Sequence, residues 1–325
     1  MSAVESTSDF DVCGPLPRGV TVLEASAGTG KTYTIAALAT RYVADGVPLE
    51  QLLLVTFTRL ATGELRDRVR RRLTTARRAL DAALSGDGDP DPDAVGAADL
   101  LARMLATGTR VAVEARRDRL ARAIADFDAA TITTTHGFCQ EVLGSFGVAG
   151  DIDRGHRFSE DARDLVDEVV DDLYVHDFLD RAPLYSRAQA REIALAAVAN
   201  PTAPLAPVAP SADGAAELRR ALAEAARAEL DRRKRALALM TYDDLVTRLR
   251  ATLLGPHGAE VAAQLRARYR VALVDEFQDT DPDQWTIMRT AFAHEGTTLV
   301  LIGDPKQAVY AFRGADVYAY LDAAE

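Results

Sequence analysis

Val20-Thr21-Val22-Leu23-Glu24-Ala25-Ser26-Ala27-Gly28-Thr29-Gly30-Lys31-Thr32 begins with a short β-rich run, turns through glycines and enters a helical pattern, Thr32–Val43. Strand, loop and helix in that order are the context a phosphate-binding loop requires. Gly28 and Gly30 let backbone N–H groups curl inward on an anion, and the helix N-terminus adds about half a positive charge at the same place. The expected nucleotide ligands are therefore Ala25, Ser26, Ala27, Gly28, Thr29, Gly30, Lys31 and Thr32. Lys31 would reach the β- and γ-phosphates of ATP, and the Thr32 hydroxyl would sit on Mg2+. Ala25 stands where the strict pattern has glycine.

Four further runs share the β character of Val20–Leu23: Leu52–Thr56, Thr131–Thr134, Val271–Val274 and Leu299–Ile302. They are apolar at nearly every residue, as strands covered on both faces of a parallel sheet are. Helical patterns separate them, which predicts an α/β fold: a P-loop core with a parallel sheet flanked by helices. Leu65, Val69, Leu73, Ala76 and Leu80 recur at helical spacing among the arginines of Arg66–Arg78, a run read as a salt-bridged, solvated helix face. From Ser159, taken as a helix cap, to about Met240 only helical patterns occur, with Leu165, Val166, Val169, Val170 and Leu173 on one face. This predicts a helical insertion, residues 151–239, in a core made of 1–150 and 240–325. Ser85–Ala94 and the proline-spaced Asn200–Gly214 read as a loop and an extended connector.

Val271-Ala272-Leu273-Val274-Asp275-Glu276 puts two carboxylates at the carboxyl end of a buried strand, the edge at which open α/β sheets bind ligands. Asp275 is expected to hold the hydrated Mg2+, and Glu276 to orient or deprotonate the water that attacks the γ-phosphate. The acidic helix Glu160–Asp172 reads as solvent-facing, and His156, His176, His257 and His294 have no ligand-spaced partners.

The 325 residues are 48% hydrophobic and 27% charged, an ordinary globular composition. No apolar stretch approaches the length of a membrane span, and the first ten residues lack an export signal, so a cytoplasmic protein without membrane partners is expected. Two cysteines, Cys13 and Cys139, exclude a disulfide framework or a four-thiolate zinc site. A net charge of −11 excludes a uniformly basic coat but leaves room for a local nucleic-acid face. Of 38 basic residues 35 are Arg, and two of the three lysines, Lys31 and Lys306, lie in the motifs.

Three more clusters follow strands: Val55-Thr56-Phe57-Thr58, Thr134-Thr135-His136-Gly137-Phe138-Cys139-Gln140, and Gly303-Asp304-Pro305-Lys306-Gln307-Ala308-Val309-Tyr310-Ala311-Phe312-Arg313-Gly314-Ala315-Asp316. All five clusters leave carboxyl ends of strands, so a parallel sheet gathers them on one rim. There Phe57, Phe138, Tyr310 and Phe312, with Thr hydroxyls and His136, would form a stacking platform for unpaired bases, worth roughly 1–3 kcal/mol per base.

In order along the chain, these five clusters are similar to motifs I, Ia, Ic, II and III of the UvrD/Rep-type superfamily 1 helicases, and most resemble the RecB-type branch. Met240-Thr241-Tyr242-Asp243-Asp244-Leu245 also resembles a segment that leads such chains back into the motor core. The family commonly begins its first motif with alanine, as Ala25 does here.

The resemblance implies a RecA-like first motor domain with a 1B-type insertion, working as a 3′-to-5′ translocase on single-stranded DNA in double-strand break repair. It implies ATP and Mg2+ as cofactors, and DNA and RecC- and RecD-like subunits as partners. Asp275, Glu276 and Gln307 match the catalytic positions, Gln307 as γ-phosphate sensor. Thr56, Phe57, Thr58, Thr135, His136, Phe138, Tyr310, Phe312 and Arg313 match the DNA-facing ones, where Phe312 replaces a frequent Trp. The chain ends at Glu325, soon after the third motif, so a second RecA-like domain and a nuclease domain are expected to be absent. Alone it is then expected to hydrolyse ATP poorly and unwind nothing. Two alternatives stay open: a catalytically silent nucleotide- or DNA-binding module, and a P-loop ATPase unrelated to DNA.

Overall fold

The computed structural model describes residues 10–25, 30–86, 88–94, 99–145, 157–159, 162–201, 203–207 and 214–307. Its chain contacts divide into two units, 1–150 with 246–325, and 151–245. The second boundary falls within a helix, six residues beyond the expected one.

In the first unit, five parallel strands form one sheet: β1 (Val20–Glu24), β2 (Leu52–Thr56), β3 (Thr131–Thr134), β6 (Val271–Val274) and β7 (Thr298–Gly303). Their spatial order is β1-β7-β6-β2-β3. The central strands β2 and β6 are buried at every residue. Period-two alternation sends Leu52, Leu54, Val271, Leu273, Val300 and Ile302 into a core shared with α1 (Lys31–Asp45), α2 (Arg59–Ala83), α3 (Leu100–Leu105) and α4 (Arg110–Ala125). Within it Leu65, Val69, Leu73, Ala76 and Leu80 form the buried stripe of α2. Leu53, Val55, Ala272, Val274, Leu299 and Leu301 are equally buried and point to the opposite face. There α5 (Thr135–Ser145) packs on β2 and β3, and α10 (Gly258–Arg268) packs on α11 (Pro282–Phe292). Phe138, Tyr269 and Phe292 contact one another with ring centroids 6.2–6.4 Å apart.

The arginine run of α2 is the salt-bridged, largely exposed helix face that its pattern suggests. Arg72 makes two 2.6 Å hydrogen bonds to Asp99, Arg77 pairs with Asp81, and Arg66 and Arg70 lie over the Phe127 ring. Arg68, Arg70, Arg71 and Arg78 are exposed.

The second unit is built on α6 (Arg163–Phe178), α7 (Arg187–Ala199) and α8 (Gly214–Ala236), whose core holds Val166, Val169, Val170, Ala190, Ala194, Leu222, Ala226 and Leu230. It is not wholly helical. Ser159 does not cap a helix but ends β4 (Arg157–Ser159), which pairs in parallel with β5 (Leu239–Thr241); Ala162 precedes α6 instead. Three-residue strands carry too little pattern to read from sequence. On α6, Asp164, Glu168, Asp171 and Asp172 are exposed, as a solvent-facing acidic face requires, and three carboxylates are also paired: Asp167 and Asp171 with Arg191 and Arg187 of α7, and Asp172 with Arg233 of α8. The third lysine, Lys234, is buried and bonded to both oxygens of Asp244, at 3.0 and 3.1 Å, within the Met240–Leu245 segment. α9 (Tyr242–Leu254) then runs across the boundary between the units.

Gly258 starts α10 where a Cβ would lie 1.8 Å from the Leu253 carbonyl oxygen, a backbone atom that cannot rotate away. Gly258→Ala is therefore expected to lower stability by about 1–3 kcal/mol or more. Gly63 lies mid-helix in α2 with open space around it, so Gly63→Ala should raise stability by about 0.5–1 kcal/mol. Denaturant unfolding of the two variants beside the parent checks both signs.

Candidate functional site

The order β1-β7-β6 leaves one strand between the phosphate-loop strand and the acidic strand. Two strand spacings are about 10 Å, a gap that one lysine and one glutamate side chain can close together. They do close it: Lys31 Nζ lies 2.7 Å from Glu276 Oε2. Lys31 is the first residue of α1, and Gly30 before it holds φ 91°, a left-handed turn that glycine adopts without strain. Ala25 N–H donates to the Gly303 carbonyl, which extends β1 alongside β7 up to the loop. Ser26, Ala27, Gly28 and Thr29 lie outside the described residues.

At the other wall, Asp275 N–H donates to Val55 O at 2.8 Å, continuing the β6–β2 ladder for one more residue. The chain then turns at Glu276, whose φ of 53° and ψ of 41° are left-handed. A non-glycine residue held there costs of order 1 kcal/mol, a strain concentrated at functional sites. The turn aims Glu276 back at Lys31, and its N–H caps its neighbour's carboxylate, Asp275 Oδ1, at 2.9 Å. Burial, reinforced by the adjacent Glu276, lifts the Asp275 carboxyl to about 6. Asp279 is lifted to about 6 by the same two causes, and among the described residues its buried Oδ1 has no hydrogen-bond partner. Lys31 opposes both shifts without cancelling them.

These carboxylates form a pocket of negative charge suited to a cation. Among the described residues no group of three or more His, Cys, Asp or Glu could enclose a metal alone.

The third wall comes from the end of β7. Asp304, 4% exposed, accepts from Lys306 N–H at 3.0 Å and from Gln307 Nε2 at 2.6 Å. Its own N–H donates to Gln278 Oε1 at 2.9 Å, and Gln278 Nε2 donates to Glu276 Oε2 at 2.6 Å. The family resemblance singled out Gln307 but neither Gln278 nor Asp304. Asp304 stood inside the Gly303–Asp316 run and Gln278 two residues past the acidic pair, and only their side-chain geometry separates them from their neighbours.

Residues 11–325 match the model of the UvrD/REP helicase N-terminal domain. The chain belongs to that family. It is 48% identical over 320 residues to the RecBCD enzyme subunit RecB of Mycolicibacterium smegmatis, and 45% identical over the same length to that of Mycobacterium tuberculosis. Each match covers 97% of this chain and 28% of the relative. It is also 31% identical over 308 residues to the ATP-dependent DNA helicase UvrD2 of Mycobacterium bovis, covering 94% of this chain and 37% of that protein. This chain thus spans little more than a quarter of the RecB relatives.

Within the helicase domain, the expected DNA-facing residues divide. Phe57 and His136 are half-buried, just past the paired ends Thr56↔Thr134 of neighbouring strands β2 and β3. Thr58 caps α2 by accepting from Ala61 N–H, and Thr56 is buried and bonded to Thr62, so both support the backbone. Thr135 is buried at the start of α5. Phe138 is a correction: its ring is fully buried against Tyr269 and Phe292, because helical spacing from His136 turns it into the core, where it offers no face to a base. Tyr310, Phe312 and Arg313 lie outside the described residues.

Because the folded protein holds the Asp275 and Asp279 protons more tightly than the unfolded chain, these groups stabilise most below their ordinary value near 4. That contribution is lost as pH rises through about 6. Asp275→Asn, assayed without nucleotide or Mg2+, should be at least as stable as the parent at pH 7 and show a shallower decline between pH 4 and 7. Thermal unfolding across that range checks it; a variant markedly weaker at pH 7 contradicts the burial cost.

Proposed function

We propose that this chain is the ATP-binding first motor domain of a RecB-type DNA helicase, with residues 151–239 as its 1B-type insertion. The 2.7 Å contact between Lys31 and Glu276 carries this reading, because it unites the phosphate-loop lysine with the carboxylate suited to activate water. Ala25 to Thr32 cradle the triphosphate, and Lys31 leaves Glu276 to take the β- and γ-phosphates. Thr32 and Asp275 would hold Mg2+, which would neutralise charge on the phosphates when bound. Glu276, freed of the ammonium, orients the attacking water and accepts its proton. Gln307 moves from Asp304 toward the γ-phosphate. Phe57 and His136 on the same rim face single-stranded DNA, with Tyr310, Phe312 and Arg313.

In the longer protein this cycle drives 3′-to-5′ translocation during double-strand break repair in the cytoplasm. The names of the RecB relatives support RecC- and RecD-like partners. In a motor of this kind a second RecA-like domain would supply the arginines that complete the transition state, worth roughly 10³–10⁵ in rate.

Lys31→Ala is expected to abolish binding of ATP, whereas Glu276→Gln should retain binding within about threefold and lose at least about a hundredfold in kcat. Nucleotide binding by calorimetry and phosphate release with and without single-stranded DNA read both. Parental binding in Lys31→Ala sinks the site assignment, and turnover indifferent to DNA favours a P-loop ATPase of another kind.

A further inference from the structure

Gln278 is 4% exposed and makes one hydrogen bond with each end of its amide. The orientation of that amide is dictated by its partners. Glu276 Oε2, in a carboxylate, accepts, and the Asp304 N–H only donates, so Nε2 must face Glu276 and Oε1 must face Asp304. Asp304 in turn holds Gln307 through Oδ2. An unbroken series of hydrogen bonds therefore runs Lys31–Glu276–Gln278–Asp304–Gln307, from the phosphate loop to the end of β7.

Lys31 and Gln278 both donate to Glu276 Oε2, at 2.7 and 2.6 Å, while among the described residues Oε1 accepts no hydrogen bond. One oxygen of the carboxylate is anchored and the other is left to address a water. When Lys31 turns to phosphate, the anchor falls to Gln278 alone. When Gln307 turns to phosphate, Asp304 loses its 2.6 Å side-chain bond but keeps its N–H on Gln278.

We propose that Gln278 is the positioning residue that sets the aim of Glu276 and couples it to the place of Gln307, so that hydrolysis responds to the segment after β7. The proposal rests on the nucleotide-site reading above and adds to it a residue which touches neither phosphate nor metal. Its action is on orientation: it leaves nucleotide affinity alone and acts on turnover.

The test uses the intact polypeptide that contains this domain, with ATP as the probe. Gln278→Leu removes both bonds. Gln278→Glu keeps the volume and the acceptor for Asp304 N–H but replaces the donor to Glu276 with a like charge. Both are expected to bind ATP within about threefold of the parent, lose at least about tenfold in kcat, and lose most of the stimulation by single-stranded DNA. In a double-mutant cycle with Gln307→Ala, the losses in kcat should fail to multiply, because both residues act through Asp304. Parental kcat in Gln278→Glu, multiplicative losses in the cycle, or a loss confined to affinity overturns the relay. Should Gln278→Leu fail to fold, Gln278→Glu and its cycle decide alone. A parent that binds no ATP brings down the nucleotide-site reading as well; a parent that turns over while the variants match it brings down only the relay.

Discussion

A positive and a negative side chain, Lys31 and Glu276, meet across the intervening strand β7, and the arrangement of the site follows from that meeting. The two residues are 245 positions apart. They reach each other because β6 and β7, late in the chain, enter the sheet between β1 and β2. Parallel pairing then brings every strand end to the same rim. A hairpin sheet would have sent alternate strand ends to opposite rims.

The price of this arrangement is visible in the acidic wall. Glu276 holds a left-handed backbone, and Asp275 and Asp279 are buried with carboxyls raised to about 6. A protein selected only for stability would have little reason to keep these features. Together they make a concentrated negative charge beside a single lysine, the electrostatic setting a cation and a polyanionic substrate can share. The hydrogen bonds through Gln278 and Asp304 fix that charge in direction, since each partner can act only as donor or only as acceptor.

The helical unit is held by a different balance. Its core is modest and rich in alanine, and arginines of α7 and α8 lie against the acidic residues of α6. Solvent screens exposed pairs of this kind, so they align the helices more than they hold them. The buried Lys234–Asp244 pair is the exception, joining α8 to the first turn of α9.

The five core strands were legible in the sequence because strands covered on both faces need apolar residues at every position, a local demand. The candidate phosphate loop and the acidic pair stood out for a similar reason: the chemistry proposed for them requires particular residue types in unbroken runs. What the sequence could not decide depended on distant partners. Phe138 lies in a motif yet turns into the core, where Tyr269 and Phe292 from distant parts of the chain meet its ring. The strands β4 and β5 are too short to carry a pattern and exist only by pairing with each other. Gln278 and Asp304 acquire their roles only when β6 and β7 lie side by side, since a hydrogen bond is set by distance and angle, and residue identity supplies neither.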